Sequence, residues 1–316
     1  MYTIFTIASA EIRSLFREKT IYSIIAVFVF MAAMSSFIGW STFTTADAVY
    51  KASVTYLHNH GVPNVPDNPL QSVPALASFT NLIVYILLIG ALLAVIIGHR
   101  SMMRERRAGI LQVIFSRPVT KQSMIMGKIF GIGMVLLSVT LLTALISIVS
   151  SFLLPLQHLS MGNIVHLLSF FLLSYLYMMY FAMVGLLFSI MAKSESLALF
   201  IPICIWVGMT FVLPEVATGL TPTALLNPVT ILQLPALEGF FQTTQSILSP
   251  ISLSWHYTST SGELLGSAFW TSHPLGTVLA DHFTEIATLL IAITFLIALS
   301  YKFLQKFNPR ADFINE

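Results

Sequence analysis

Residues 99–128 read HRSMMRERRAGILQVIFSRPVTKQSMIMGK and hold Arg100, Arg104, Arg106, Arg107, Arg117, Lys121 and Lys128, seven of the fifteen basic residues in the chain. Long apolar runs flank this stretch on both sides. An Arg or Lys at the centre of a bilayer costs about 2.5–3.5 kcal/mol on insertion scales, so such a cluster does not cross one. It reads as a cytoplasmic loop between two membrane helices, and its density of charge reads as a contact surface for a partner.

Composition points the same way. Charged residues are 9% of 316, apolar residues 56%, and the mean hydropathy is +0.86. A soluble domain carries roughly 25% charged residues, so a soluble enzyme or binding module is excluded. The net charge of +2 says less than its distribution along the chain. The single cysteine, Cys204, cannot form an intrachain disulfide and leaves the redox compartment open.

Working outward from the cluster, six apolar spans are long enough for a core of about 30 Å: residues 21–40, 75–98, 129–154, 164–192, 197–213 and 283–303. The third and fourth lie within 64 consecutive residues, 129–192, that contain no Asp, Glu, Lys or Arg. Gln157, His158 and Met161-Gly162-Asn163 mark the turn that divides them. Pro202 predicts a kink in the fifth span, a feature membrane helices tolerate. The expected fold is therefore an all-α membrane protein with six transmembrane helices. Its expected divisions are an interfacial segment over 1–20, a transmembrane domain over 21–304 and a tail over 305–316.

The positive-inside rule orients the spans. With both termini cytoplasmic, Arg13, Arg17 and Lys19 precede the first span, the cluster of loop 99–128 follows the second, and Lys193 follows the fourth. Lys302, Lys306 and Arg310 follow the sixth, so that fourteen of fifteen basic residues lie inside and only Lys51 lies outside. Two outer loops result, 42–74 and 214–281. The first, with His58, His60 and four prolines, reads as irregular. The second, broken by Pro222, Pro228, Pro235, Pro250 and Pro274, reads as short helices on the outer mouth of the bundle.

The charged start resembles a signal peptide, and Ala46-Asp47-Ala48 has the form of a cleavage site. The apolar stretch of about 20 residues exceeds an h-region of about 7–15, which argues against cleavage. Residues 2–19 instead predict an amphipathic helix with Ile4, Ala8, Ile12, Leu15 and Phe16 on one side and Arg13, Arg17 and Glu18 toward the headgroups. After the second span, residues 100–115 predict a helix along the membrane surface, with Leu111, Ile114 and Phe115 inward and Arg104 and Arg107 outward. Pro118 stops it.

Several patterns compete for a chemical role. His58, His60, His158, His256, His273 and His282 fall near the outer face, and Asp281, His282 and Glu285 are close in sequence. Imidazole and carboxylate suit divalent metals, yet ordinary interfacial histidines explain them as well, and no metal site is expected. Fourteen methionines suit an apolar core at least as well as copper. Gly127-x-x-x-Gly131 is either a helix-packing motif or a tight helix start. Gly127-Lys128 is no phosphate-binding loop, because position 122 is Gln and Ile129 follows the lysine. No charged residue lies near the middle of any span, which disfavours an ion-coupled carrier.

The loop resembles the first cytoplasmic loop of permeases of the ATP-binding-cassette exporter class called type 2, whose common form runs E-x-E-x-G-T-L, then S-R-P-V-S-R, then G-K. The matching residues are Glu105, Gly109, Leu111, Ser116-Arg117-Pro118 and Gly127-Lys128. Residues 10–17 (AEIRSLFR) resemble that class's amphipathic N-terminal helix, Lys193-Ser194-Glu195-Ser196 its second cytoplasmic turn, and Leu226-Asn227-Pro228 a recurring part of its last outer loop. The layout is similar to that of the permeases serving maturation of nitrous-oxide reductase. Arg107, Ile110 and Gln112 depart from the common form and make the loop more basic.

The resemblance implies a cytoplasmic coupling helix between helices 2 and 3 that docks on a separate P-loop ATPase subunit, and a second permease copy that completes a homodimer. Arg104, Glu105, Arg106, Arg107, Gly109, Arg117, Pro118 and Glu195 would carry the coupling. ATP and Mg would belong to the partner and no cofactor to this chain, which would be a transporter subunit of a prokaryotic cytoplasmic membrane. No nucleic-acid partner is expected. Two other readings remain: a membrane enzyme using Asp281, His282 and Glu285 on lipid or envelope substrates, and a structural membrane protein without an energy source.

Overall fold

The computed structural model describes residues 2–61, 67–68, 73–107, 111, 114, 116, 119–153, 160–218, 239–266 and 273–306. Every regular element among them is helical. In chain order these are α1 (Tyr2–Arg17), α2 (Lys19–Asn59), α3 (Ala75–Arg106), α4 (Lys121–Leu153), α5 (Met161–Met191), α6 (Glu195–Ala217), α7 (Phe240–Leu248), α8 (Leu253–Leu264), α9 (Leu275–Asp281) and α10 (Phe283–Lys306). Six of them, α2 to α6 and α10, are long and apolar enough to cross a membrane. The six spans expected from hydropathy are these six helices.

The charge-free sequence of the fourth span has a direct cause: α5 is the central helix. It packs on α3, α4, α6, α8 and α10, and its residues 177–187 are buried without exception. A helix apolar on all sides is one surrounded by protein or by lipid, and α5 is surrounded by protein along its length from 177 to 187. Its tightest neighbour is α3, where glycines on each helix face the other backbone. A Cβ on Gly98 would collide with Ala182 O, and one on Gly185 with Val95 O. This is small-residue packing, which lets backbones approach where lipid supplies no hydrophobic drive.

Two helices depart from the sequence reading. The irregular loop expected from residue 42 is helical as far as Asn59, so α2 runs for 41 residues, or roughly 60 Å at 1.5 Å per residue. That is about twice the apolar thickness of a bilayer. Asp47 and Lys51 form an i,i+4 pair at 2.6 Å on this extension, and Gly61, at φ 71°, ends it in the left-handed conformation common after a helix. Similarly, residues 100–106 do not begin a separate surface helix but belong to α3, whose helical backbone extends to Arg107. Leu111 is buried and Ile114 packs on the core, as expected of the inward side.

Both α3 and α6 contain a widened turn, Ile86–Gly90 and Gly208–Val212, where the helix is of the π type. In α6 the helix passes through Pro202 before reaching it. Such turns are one of the identifiable causes of helix bending. Among the described residues of the second outer segment, α7, α8 and α9 are the short helices the prolines predict.

Candidate functional site

The charged end of the bundle is built from three elements: α1, the last turns of α3 and the start of α4. Helix α1 lies against α4 because two glycines clear a path for it. A Cβ on Gly127 would come within 2.7 Å of the Ile7 side chain, and one on Gly131 within 2.8 Å of Glu11 Cβ. The Gly127-x-x-x-Gly131 pair is therefore a helix-packing surface, and α1 is what it packs.

The buried face of α1 carries Ala8, Glu11 and Leu15, at 2%, 2% and 3% exposure. Phe16, expected on that face, is exposed instead. An acid in the middle of an apolar stripe needs a partner, and Lys128 provides it. Lys128 Nζ donates to Glu11 Oε2 at 3.1 Å, to Glu105 Oε1 at 2.8 Å and to Ser101 O at 2.6 Å. The three N–H donors of an ammonium thereby hold α1, α3 and α4 together, and Lys128 is 1% exposed.

A second layer of ion pairs lies closer to the surface. Arg104 Nη2 donates to Glu11 Oε2 at 3.0 Å and its Nη1 to Glu18 Oε1 at 3.2 Å, while Arg100 Nη1 donates to Glu18 Oε2 at 3.1 Å. Glu18 stands in the break between α1 and α2, with extended backbone at ψ 125°. The end of α3 thus grips α1 and the break itself.

Arg106 points the other way. It is buried, and its Nη1 donates to Ser189 O at 2.6 Å and Ala192 O at 2.9 Å, the carbonyls that close α5. A cation here also suits the negative end of the helix dipole. Beside it, Ser189 Oγ gives its proton to Gly185 O at 2.7 Å and accepts from His99 Nδ1 at 2.9 Å.

Of the residues named from sequence, Arg104, Glu105 and Arg106 are brought together at the end of α3, and Glu195 lies across a crevice from Arg104 in the first turn of α6. Arg104 is not turned freely outward but paired with two glutamates. Arg107 continues the helix, and its side chain lies outside the described parts. Gly109, Phe115, Arg117, Pro118 and the Leu226-Asn227-Pro228 stretch also lie outside the described residues. Glu11, Glu18, Arg100 and His99 were not singled out as site residues by the sequence reading. Glu11 was detectable, since it falls at helical spacing between Ala8 and Leu15.

At the opposite end, His282 Nε2 pairs with Glu263 of α8, while its Nδ1 is 3.8 Å from Glu285 Oε1. Among the described residues no group of three His, Cys, Asp or Glu is arranged to hold a metal. Deeper in the bundle, Tyr177 and Tyr257 stack at 4.3 Å between ring centroids. Tyr177 OH bonds Ser254 Oγ at 2.9 Å, Tyr257 OH bonds Ser174 Oγ at 3.1 Å, and Ser252 Oγ donates to Met209 O in the π turn of α6 at 3.2 Å. Helix α8 is thereby fastened to α5 and α6.

A bundle of six membrane-length helices, with an amphipathic helix ion-paired to its charged end, is an integral membrane protein. Residues 5–308 match the family model for ABC-2 family transporter protein, and the chain belongs to that family. None of the curated proteins compared with the chain matches it.

Proposed function

We propose that this chain is the permease subunit of an exporter, with ATP hydrolysed by a separate P-loop ATPase and transmitted through the end of α3. The observation that carries the reading is the ammonium of Lys128 shared between Glu11 and Glu105. A force applied to the loop after α3 meets a rigid junction there, and moves α1, α3 and α4 as one body. Transmission of a partner's closure needs such a lever fused to transmembrane helices, and two rocking bundles then give alternating access. In this reading Arg104, Glu105 and Arg106 are the internal half of the lever. Arg107, Gly109, Arg117, Pro118 and Glu195 are the candidates for touching the ATPase. The basic end faces the cytoplasm of a prokaryotic cell, with both termini there, and two copies of the chain work as a homodimer. ATP and Mg are bound by the partner.

Purification from native membranes in mild detergent tests the proposal. A P-loop ATPase in equal amount is the expected companion; its absence, where a known transporter keeps its own, overturns the reading. Glu105→Lys would be a poor probe of docking, because it places a second cation against Lys128. Glu195→Lys is the better one, being half-exposed at a helix start, and the expected result is weakened retention of the ATPase.

A further inference from the structure

We propose that the crevice between α2, α3 and α6 at the charged end binds an anionic amphiphile, a phosphate-type oxyanion carrying an apolar chain. The crevice has a volume of about 630 Å³, and its lining combines Lys19, Arg100, Arg104, His99, Glu18 and Glu195 with the apolar Ile96, Met103 and Leu199. That is the size range of sites that take small molecules.

Helix geometry orders this lining by depth. Ile96 precedes Arg104 on α3 by two turns, which places it roughly 12 Å further into the bundle, and Leu199 lies roughly 6 Å further in than Glu195. The membrane-length parts of α2 and α6 begin at Tyr22 and Glu195. Lys19, Glu18 and Glu195 are therefore at the headgroup level, and Ile96 and Leu199 are at the level of acyl chains. A site with cations at headgroup depth and apolar walls beneath fits a molecule divided in the same way, and basic pockets between transmembrane helices are where anionic headgroups bind.

The two carboxylates in the lining do not cancel this preference. Glu18 accepts from Arg100 with one oxygen and from Arg104 with the other, so Glu18 and the two arginines meet one another's charge and Lys19 is the cation left to face a headgroup. Glu195 occupies the first turn of α6, where the positive end of the helix dipole offsets it. Lys19 is exposed, lines the crevice and takes part in no ion pair among the described residues. Around it, Arg13, Arg17 and the cluster of residues 100–128 give this end of the bundle an excess of positive charge, which draws anions to the crevice.

Either a membrane phospholipid or a free oxyanion could supply the headgroup chemistry, and the test separates them. The full-length permease is placed in lipid discs of mixed phosphatidylcholine and phosphatidylglycerol, extracted, and assayed by native mass spectrometry for the lipid it retains. Phosphatidylglycerol should be retained selectively, and Lys19→Ala should lower that retention about fivefold, the worth of one basic residue near an anionic surface. Leu199→Trp, which fills the apolar part, should lower it as well, while Lys19→Arg should keep it and so show that the fold is intact. Inorganic phosphate in excess should not displace the lipid. Displacement by phosphate together with no effect of Leu199→Trp would mean an oxyanion site without a chain, and would overturn the amphiphile. Equal retention of both lipids, or none of the variants changing it, would overturn the site altogether. The measurement uses the permease alone, so it is independent of whether an ATPase partner is found.

Discussion

Lys128 Nζ stands 2.8 Å from Glu105 Oε1, and the same ammonium reaches Glu11 Oε2 at 3.1 Å. Glu105, in the last turn of α3, is thus tied inward to α4 and, through the shared ammonium, to α1. A cation between two acids in a nearly dry site has a strong consequence when removed. Lys128→Met should destabilise the protein by about 3–5 kcal/mol, because Glu105 loses its counter-charge and Glu11 is left with Arg104 alone. Thermal unfolding in detergent measures this. Adding Glu105→Gln and Glu11→Gln to Lys128→Met should recover much of the loss, and a triple variant no better than the single one would show that the charges are not the cause.

Arg106 closes α5 from a neighbouring helix. Replacing it by alanine removes charge-assisted bonds to Ser189 O and Ala192 O, each kind worth about 1.5–3 kcal/mol when one partner is charged. The expected result is a loss of that size in unfolding free energy, with Arg106→Lys intermediate, since an ammonium keeps the charge but not the planar fork. Hydrogen exchange at the last turn of α5 should rise in the alanine variant more than at the opposite end of the same helix.

The contact between α1 and α4 depends on an absent side chain. Gly131→Val would drive a methyl group into Glu11 Cβ, which lies 2.8 Å from where even an alanine Cβ would sit. Overpacking of this kind costs roughly 1–3 kcal/mol, and here it can be relieved by lifting α1. Trypsin should then cut faster at Arg13 and Arg17 than in the parent protein, while cleavage at Lys51, on the far extension of α2, stays the same. Uniformly faster cleavage would indicate general unfolding instead.

How far the sequence could be read follows from which signals are local. The six spans are legible because each is a long apolar run bounded by charge, polar turns or proline. The extension of α2 to Asn59 is hidden because the prolines that make loop 42–74 read as irregular, Pro63, Pro66, Pro69 and Pro74, all lie beyond it. The deciding signal was the lack of breakers: no Gly or Pro occurs between Gly39 and Gly61, and a helix continues until something stops it. At the charged end, the cluster of residues 100–128 announced a surface. Its internal pairing was not legible, since Lys128 meets Glu11 across 117 positions of chain. The same holds for Gly98 and Gly185, whose purpose appears only when α3 and α5 are seen to touch backbone to backbone.

The stacked pair Tyr177 and Tyr257 offers a cleaner separation of ring from hydroxyl. Each hydroxyl has its own partner, Ser254 for one and Ser174 for the other, whereas the rings share one face at an interplanar angle of 16°. Tyr177→Phe and Tyr257→Phe should each cost about 0.5–1.5 kcal/mol, the net worth of a buried hydrogen bond. The double variant should come within about 0.5 kcal/mol of their sum, because the two hydroxyls bond different serines even though the rings touch. Truncation to alanine removes the rings and should cost about 3–5 kcal/mol apiece. The double alanine variant should fall short of the sum by about 0.5–1.5 kcal/mol, the coupling of an aromatic pair. Four variants measured by unfolding in detergent, with their two doubles, decide the point: a coupled phenylalanine pair would mean that the hydroxyls form one network, and an uncoupled alanine pair would mean that the stack contributes nothing to holding α8 against α5.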